Sequence, residues 1–137
     1  MISRALAMRL RDAGLAWRPS KGDWFQLVAE DMDGSGTDVF TVSDMTIEAH
    51  DFPTGTVLGF NGTTEWALDS VDLADALWFP REDQLRNALR HTFELLERDG
   101  DAFSVVTVFL GHRRRFTADA PDEAYGLAVL QQVSASS

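Results

Sequence analysis

Residues 31–36 have the spacing in this chain that comes nearest to a metal site. Asp31, Asp33 and Ser35 stand at alternate positions before Gly36, as in the first half of an EF-hand calcium loop. The second half departs from that pattern, because Val42 occupies the position that needs a bidentate carboxylate. Two interpretations stay open: a weak divalent-cation site and a polar loop between strands. We expect the loop, with no metal and no cofactor bound.

Glu48 and His50 are the second candidate. They lie two residues apart in a predicted strand and would share one face. A carboxylate beside an imidazole suits acid–base catalysis or half of a metal site. The other histidines, His91 and His112, are predicted on a helix and in a turn and do not complete a ligand set. We expect a solvated pair and no catalytic residue.

Arg113, Arg114 and Arg115 form the only basic run in a chain with a formal net charge of −10. Neighbouring arginines can bind phosphate or an acidic partner. On a terminal strand they also keep the sheet edge from pairing with another chain. We expect the edge role, with partner binding through these three residues as the alternative.

Aromatic residues mark the start of the main helical pattern. Trp66, Trp78 and Phe79 bracket the short segment that precedes it. Such rings usually belong to the core, whereas an exposed apolar groove would bind another protein. The sequence therefore offers a partner-binding groove as one interpretation and core packing as the other.

Composition excludes several function classes. The 137 residues include no cysteine, which rules out disulfides, thiolate metal sites and cysteine nucleophiles. The common nucleotide-binding, hydrolase and zinc-protease motifs are absent. The acidic charge disfavours nucleic acid and anionic lipid. We find neither a signal-peptide pattern nor the roughly 18 apolar residues of a membrane span, and we expect a cytoplasmic protein.

Hydrophobic periodicity predicts an α+β fold. Residues 80–98 carry apolar side chains at helical spacing and predict one long central helix. Shorter helices are predicted near the two ends, over residues 2–13 and from residue 119 onwards. About five to seven antiparallel strands would form one sheet, with the central helix packed on one face. The predicted strands are residues 24–29, 39–42, 46–50, 56–60, 63–68, 102–110 and 113–117.

Glycines place two turns. Asn61-Gly62, between residues 56–60 and 63–68, has the preferred sequence of a type I′ hairpin, and Gly111-His112 fits a type II′ turn. We predict one domain over residues 1–133 and a frayed tail over 134–137.

Two stretches carry a resemblance to known proteins. GFNGTTEWALDSVDLADALWFPREDQLRNAL, residues 59–89, with DVFTVSDMTIEAHDFPTG, residues 38–55, resembles a family of small uncharacterised bacterial proteins, some labelled "pilus assembly". WFPREDQL, residues 78–85, is similar to the W-[LF]-P-x-x-D-Q-L segment of some small phage-encoded proteins. Neither resemblance implies catalytic residues.

These features predict a small bacterial accessory or adaptor protein that binds another protein and has no catalytic activity. Residues 102–110, apolar on both faces of a strand, predict possible self-association. The alternative is a small metal-dependent or small-molecule enzyme that uses the acidic residues around 31–51. Nucleic-acid binding through the arginine run is disfavoured by charge.

Overall fold

The structure is a computed structural model that describes residues 1–28, 39–42, 47–52, 55–60 and 70–136. Over these residues the fold is α+β, as predicted. The elements in chain order are α1 (Arg4–Ala13), β1 (Trp24–Leu27), β2 (Phe40–Thr41), β3 (Ile47–Phe52), β4 (Gly55–Phe60), β5 (Ser70–Asp72), β6 (Ala76–Phe79), α2 (Glu82–Leu89), β7 (Phe93–Asp99), β8 (Ala102–Phe109), β9 (His112–Ala118) and α3 (Pro121–Ser136).

The described strands form three antiparallel sheets of three strands each, in the orders β2-β1-β6, β3-β4-β5 and β7-β8-β9. The prediction of one sheet with five to seven strands is wrong. The reason lies in the connectivity: β6 pairs with β1 from Trp24↔Phe79 to Leu27↔Ala76, instead of extending the sheet of β5. Each described strand therefore pairs within a three-stranded sheet, and the three sheets do not join into one.

The chain divides into two compact units. The terminal unit consists of Met1–Ala16 and Pro80–Ser137, and the middle unit is Trp17–Phe79. The three described α-helices and the β7-β8-β9 sheet belong to the terminal unit, whereas the other two sheets belong to the middle unit. The single domain over residues 1–133 stays a prediction.

The long central helix predicted over residues 80–98 is wrong. Helix α2 has eight residues and ends at Leu89, and the chain then enters β7 through one 3₁₀ turn, Arg90–Thr92. Leu95 and Leu96 satisfy a helical apolar arc, but in β7 they pair with Val106 and Val105 of β8. The second edge of the central strand β8 needs backbone hydrogen-bond partners, and this tertiary demand outweighs the helical preference of a segment rich in Leu, Glu and Arg.

The longest helix of the described residues is α3, with 16 residues, although the sequence predicted a shorter C-terminal helix. It extends through Ser136 and so includes most of the stretch predicted as a frayed tail. Its Tyr125, Ala128 and Val129 are buried, and the Tyr125 ring packs 5.5 Å from that of Phe93. Burial of these side chains stabilises the helix more than intrinsic helix propensity alone would.

Helix α1 confirms the prediction of a short N-terminal helix. Ser3 begins it, since the Ser3 hydroxyl accepts a hydrogen bond from the Leu6 amide at 3.1 Å. The Ser3 amide and hydroxyl donate to the two carboxylate oxygens of Glu123 in the first turn of α3, each at 3.0 Å. The chain leaves α1 at Gly14, which has φ 107°.

The hairpins agree with the sequence only in part. Strands β8 and β9 pair as expected, but the register Phe109↔His112 places Leu110 and Gly111 in the turn. Both have positive φ, 51° and 81°, so the turn is type I′ and not the predicted type II′. The predicted Asn61-Gly62 turn lies outside the described residues, and the described strand before it, β4, pairs with β3 and β5.

The middle unit has an aromatic core. Phe25, Val42 and Ala76 are buried and pack against partly buried Trp17, Leu27 and Phe40. Beside this cluster the carboxylate of Asp23, only 1% exposed, accepts hydrogen bonds from Trp17 Nε1 at 2.9 Å and from the Ser20 amide at 3.0 Å. A buried carboxylate needs such donors, because leaving it unpaired costs several kcal/mol, roughly 3 or more.

Across the described ranges, the helices are too short or too polar to cross a membrane.

Candidate functional site

The predicted metal-ligating residues Asp31, Asp33 and Ser35 lie outside the described residues, as does Trp66. Glu48 and His50 belong to β3. Within the described parts of the chain, no three His, Asp or Glu side chains gather closely enough to hold a metal ion. The metal hypothesis therefore gains no support from the described residues.

Trp78 and Phe79 lie in β6 of the middle unit. The Trp78 ring stacks on Trp17, with centroids 6.1 Å apart and planes 9° from parallel, and Phe79 is 2% exposed. The Trp78 indole nitrogen is buried, and among the described residues no hydrogen-bond acceptor reaches it. The partner groove also requires Trp66, so it stays a prediction.

The three arginines of the basic run lie on two faces of the sheet, because successive side chains of β9 alternate between the faces. Arg113 pairs with Glu94 at 3.1 Å, and Arg115 pairs with Glu97. Both glutamates belong to β7, so the two ion pairs reach across the central strand β8 on one face of the sheet. Arg114 points to the opposite face, towards α3, because successive side chains of a strand alternate.

On that opposite face, α3 and the sheet form a cavity of about 400 Å³ that is open to solvent on one side. Its walls come from α3, from β8 and β9, and from the 3₁₀ turn that follows α2. The lining residues are Leu89, Arg90, His91, Thr92, Thr107, Phe109, Arg114, Phe116, Ala128, Gln131, Gln132 and Ala135. A volume of this size lies within the range of about 300–1,000 Å³ typical of small-molecule sites.

The floor of the cavity is buried and held by hydrogen bonds. Leu89, Ala128, Thr92 and Thr107 are all less than a tenth exposed. The Thr92 hydroxyl donates to the Leu89 carbonyl at 2.6 Å, and Gln132 Nε2 donates to the Ala88 carbonyl at 3.2 Å. These bonds fix the junction between α2 and α3, so the floor is formed before any ligand arrives.

The rim of the cavity is positively charged. Arg90, His91 and Arg114 are exposed there, and no Asp or Glu is among the lining residues. In the described part of the chain, none of the three side chains makes an ion pair or a hydrogen bond. This local charge contrasts with the net charge of −10 of the whole chain.

Arg90 also has a strained backbone, with φ 55° and ψ −132°. A non-glycine residue at positive φ costs on the order of 1–3 kcal/mol and persists only where its surroundings hold it. Here the strain turns the chain from α2 into β7, and it places Arg90 and His91 at the cavity. Strain of this kind concentrates at functional sites.

The tip of the β8–β9 hairpin is a second exposed feature. Val108, Phe109 and Leu110 are 36%, 56% and 82% exposed. Leu110 also has positive φ, a conformation that asparagine and glycine adopt much more readily than leucine. Together these residues, here called the apolar tip, present large apolar side chains to solvent, and Phe109 also lines the cavity.

Sequence reasoning found Arg114 but missed Arg90, His91 and the cavity. It assigned residues 90–98 to a helix and so placed Arg90 and His91 on a solvated helix face. No local signal marked the break after Leu89. The apolar run of β8 indicated burial on both faces but did not indicate which segment pairs along its edge.

Comparison of the chain with known proteins found no family model, no curated protein and no solved structure that matches it.

Proposed function

We propose that this protein is a non-catalytic accessory or adaptor protein that binds another protein through the apolar tip. The observation that carries the proposal is Leu110, which is 82% exposed at φ 51°. Leucine is unfavourable at an exposed position and at positive φ. A docking role accounts for the exposure and for the backbone conformation.

The energetics support this reading. Leucine in the left-handed conformation costs about 1–2 kcal/mol, and in the free protein its exposed side chain returns little of that through burial. Burying a leucine or phenylalanine side chain in a partner contributes about 1.5–3 kcal/mol each. Binding would therefore more than offset the local strain.

Charge indicates the chemistry of the partner. Arg113 and Arg114 follow Leu110 after Gly111 and His112, and Arg113 is paired with Glu94, so Arg114 supplies the positive charge near the tip. A partner with an apolar cleft and an acidic rim would complement it. A second copy of this chain is less suitable, because two proteins of charge −10 repel each other. The proposed partner is a different protein.

Site-specific photocrosslinking tests the proposal. A photoreactive phenylalanine analogue replaces Leu110 in one variant and Asp101 in the matched control, where Asp101 lies in the other turn of the same sheet. We expect one discrete adduct in host cells from position 110, none from 101, and a monomer by light scattering of the pure protein.

Two results would contradict the proposal. One is the same adduct pattern at both positions, which would indicate random collisions. The other is a monomeric protein that forms no reproducible adduct from position 110 under any growth condition. A dimer linked through position 110 would replace the proposed partner with a second copy.

A further inference from the structure

We propose that the cavity between α3 and the β7-β8-β9 sheet binds an amphipathic organic anion, a carboxylate or phosphate ester that carries an apolar chain or ring. This ligand is distinct from the protein partner proposed for the apolar tip. It would use the inner side of the sheet, where α3 lies, and not the solvent-facing tip residue Leu110.

The first support is the combination of an apolar interior with a cationic opening. Leu89, Phe116 and Ala128 give the interior its apolar wall, while Arg90 and Arg114 stand at the rim. Ligand sites generally pair a hydrophobic lining with a few polar groups that fix orientation. Here the apolar wall would hold the ligand body, and the guanidinium groups would hold its charged head.

The second support is the sign of the charge. The chain has 22 acidic residues against 12 basic ones, yet no acidic residue lines this cavity. Ala135, in the last turn of α3, places helix carbonyls near the cavity, and a helix C-terminus carries a partial charge of about −0.5. Two full guanidinium charges exceed that opposing partial charge, so the charge among the groups that line the cavity favours an anion.

The third support is the strained turn at Arg90. A glycine there would adopt φ 55° without strain but would leave the rim with one cation fewer. The sequence keeps arginine at the position where the backbone disfavours it. Both Arg90 and Arg114 are exposed, so they would bind a bare ion weakly, and the apolar body must supply much of the affinity.

Calorimetric titration with three probes of equal chain length tests the class of ligand. Decanoate and decyl phosphate carry the two anionic head groups, and decanol carries none. All are used below their aggregation concentrations, with amide chemical shifts to locate binding at Thr92 and Thr107. We expect one or both anions to bind at least about fivefold more tightly than decanol, and the tighter anion identifies the head group.

Arg114→Gln and Arg113→Gln form the matched pair of variants. The two residues are neighbours on β9 and lose the same charge, but only Arg114 lines the cavity, while Arg113 pairs with Glu94 on the other face. Arg114→Gln should weaken anion binding about fivefold, and Arg113→Gln by less than about twofold. The difference should shrink at high salt, because screening weakens the charge contribution.

The proposal is overturned if neither anion binds, if decanol binds as tightly as both anions, or if Arg113→Gln and Arg114→Gln weaken binding equally. These outcomes leave the docking proposal intact: Phe109 and Arg114 are common to the two proposed sites, but the crosslinking position Leu110 lies outside the cavity lining. The opposite outcome is also possible to distinguish. If an anion binds in an Arg114-dependent way but position 110 gives no crosslink, the cavity proposal stands and the docking proposal is contradicted.

Discussion

The two turns of the β7-β8-β9 sheet solve the same geometric problem with opposite chemistry. The β7–β8 turn, Gly100-Asp101, places glycine at positive φ, 63°, and surrounds it with acidic residues. The β8–β9 turn, Leu110-Gly111, places leucine at positive φ, 51°, after an exposed phenylalanine. Strand β8 connects the two turns, so they share one scaffold.

The difference separates folding from function. The Gly100 turn follows the residue preferences of a tight hairpin and is accounted for by stability alone. The Leu110 turn departs from them in backbone preference and in exposure at the same residue. Departures from local preference without a local gain are expected where a residue serves another purpose. This contrast is why the apolar tip, and not the acidic turn, is proposed to dock.

The largest expected effect tests whether the two turns share a scaffold. Val105, in the middle of β8, is fully buried, so Val105→Ala should lower the free energy of unfolding by about 2–3 kcal/mol through lost burial and a residual cavity. Val108→Ala on the same strand should cost less than about 1 kcal/mol, because Val108 is 36% exposed. Chemical denaturation measures both. Equal costs would show that β8 does not anchor the sheet.

The same experiment tests the single domain predicted over residues 1–133. The four tryptophans fall within residues 17–79, whereas α1, α2 and α3 belong to the terminal unit. Tryptophan fluorescence and far-UV circular dichroism therefore follow different parts of the chain. If Val105→Ala shifts both transitions together, the units unfold as one domain. A shift in circular dichroism alone would make them two.

The fold could be predicted from the sequence where local signals agree with tertiary contacts. Helix α1 has its apolar face and its stop at Gly14, and β8 has an unbroken apolar run before a glycine turn. The failure at residues 90–98 has a physical cause. Apolar residues 93, 95 and 96 fit both a helix and a strand, and only the remote partner β8 decides between them.

The site was less predictable than the fold. The arginine run was visible, but its division into two ion-paired residues and one cavity residue depends on strand alternation and on glutamates 18 or more positions away. Asp23 gave no signal either, because its role comes from the Trp17 indole and the Ser20 amide, which fold around it. Sequence spacing locates such residues only when the element containing them is assigned correctly.

The next largest effect tests the β7–β8 turn at Gly100. Gly100→Val should lower the free energy of unfolding by about 2 kcal/mol, since a β-branched residue is strained at φ 63°. Apart from the adjacent residues of the chain, no heavy atom lies within 4 Å of the Cβ position, so the cost comes from the backbone and not from a clash. Asp101→Val, at the neighbouring turn position without positive φ, should change stability by less than about 0.5 kcal/mol. Equal effects would mean that positive φ does not constrain this turn.

The smallest and most diagnostic effect concerns Leu110. Leu110→Asn should raise the free energy of unfolding by about 0.5–1 kcal/mol, because asparagine tolerates positive φ better than leucine does. Leu110→Ala removes the same apolar side chain but keeps an unfavourable residue at φ 51°, so it should bring no comparable gain. Denaturation curves measure stability, and loss of the partner adduct, with the photoreactive residue moved to His112, measures docking. Both variants should lose the adduct, and only Leu110→Asn should gain stability. If Leu110→Asn lowers stability, the leucine serves the fold, and the contrast between the two turns no longer distinguishes folding from function.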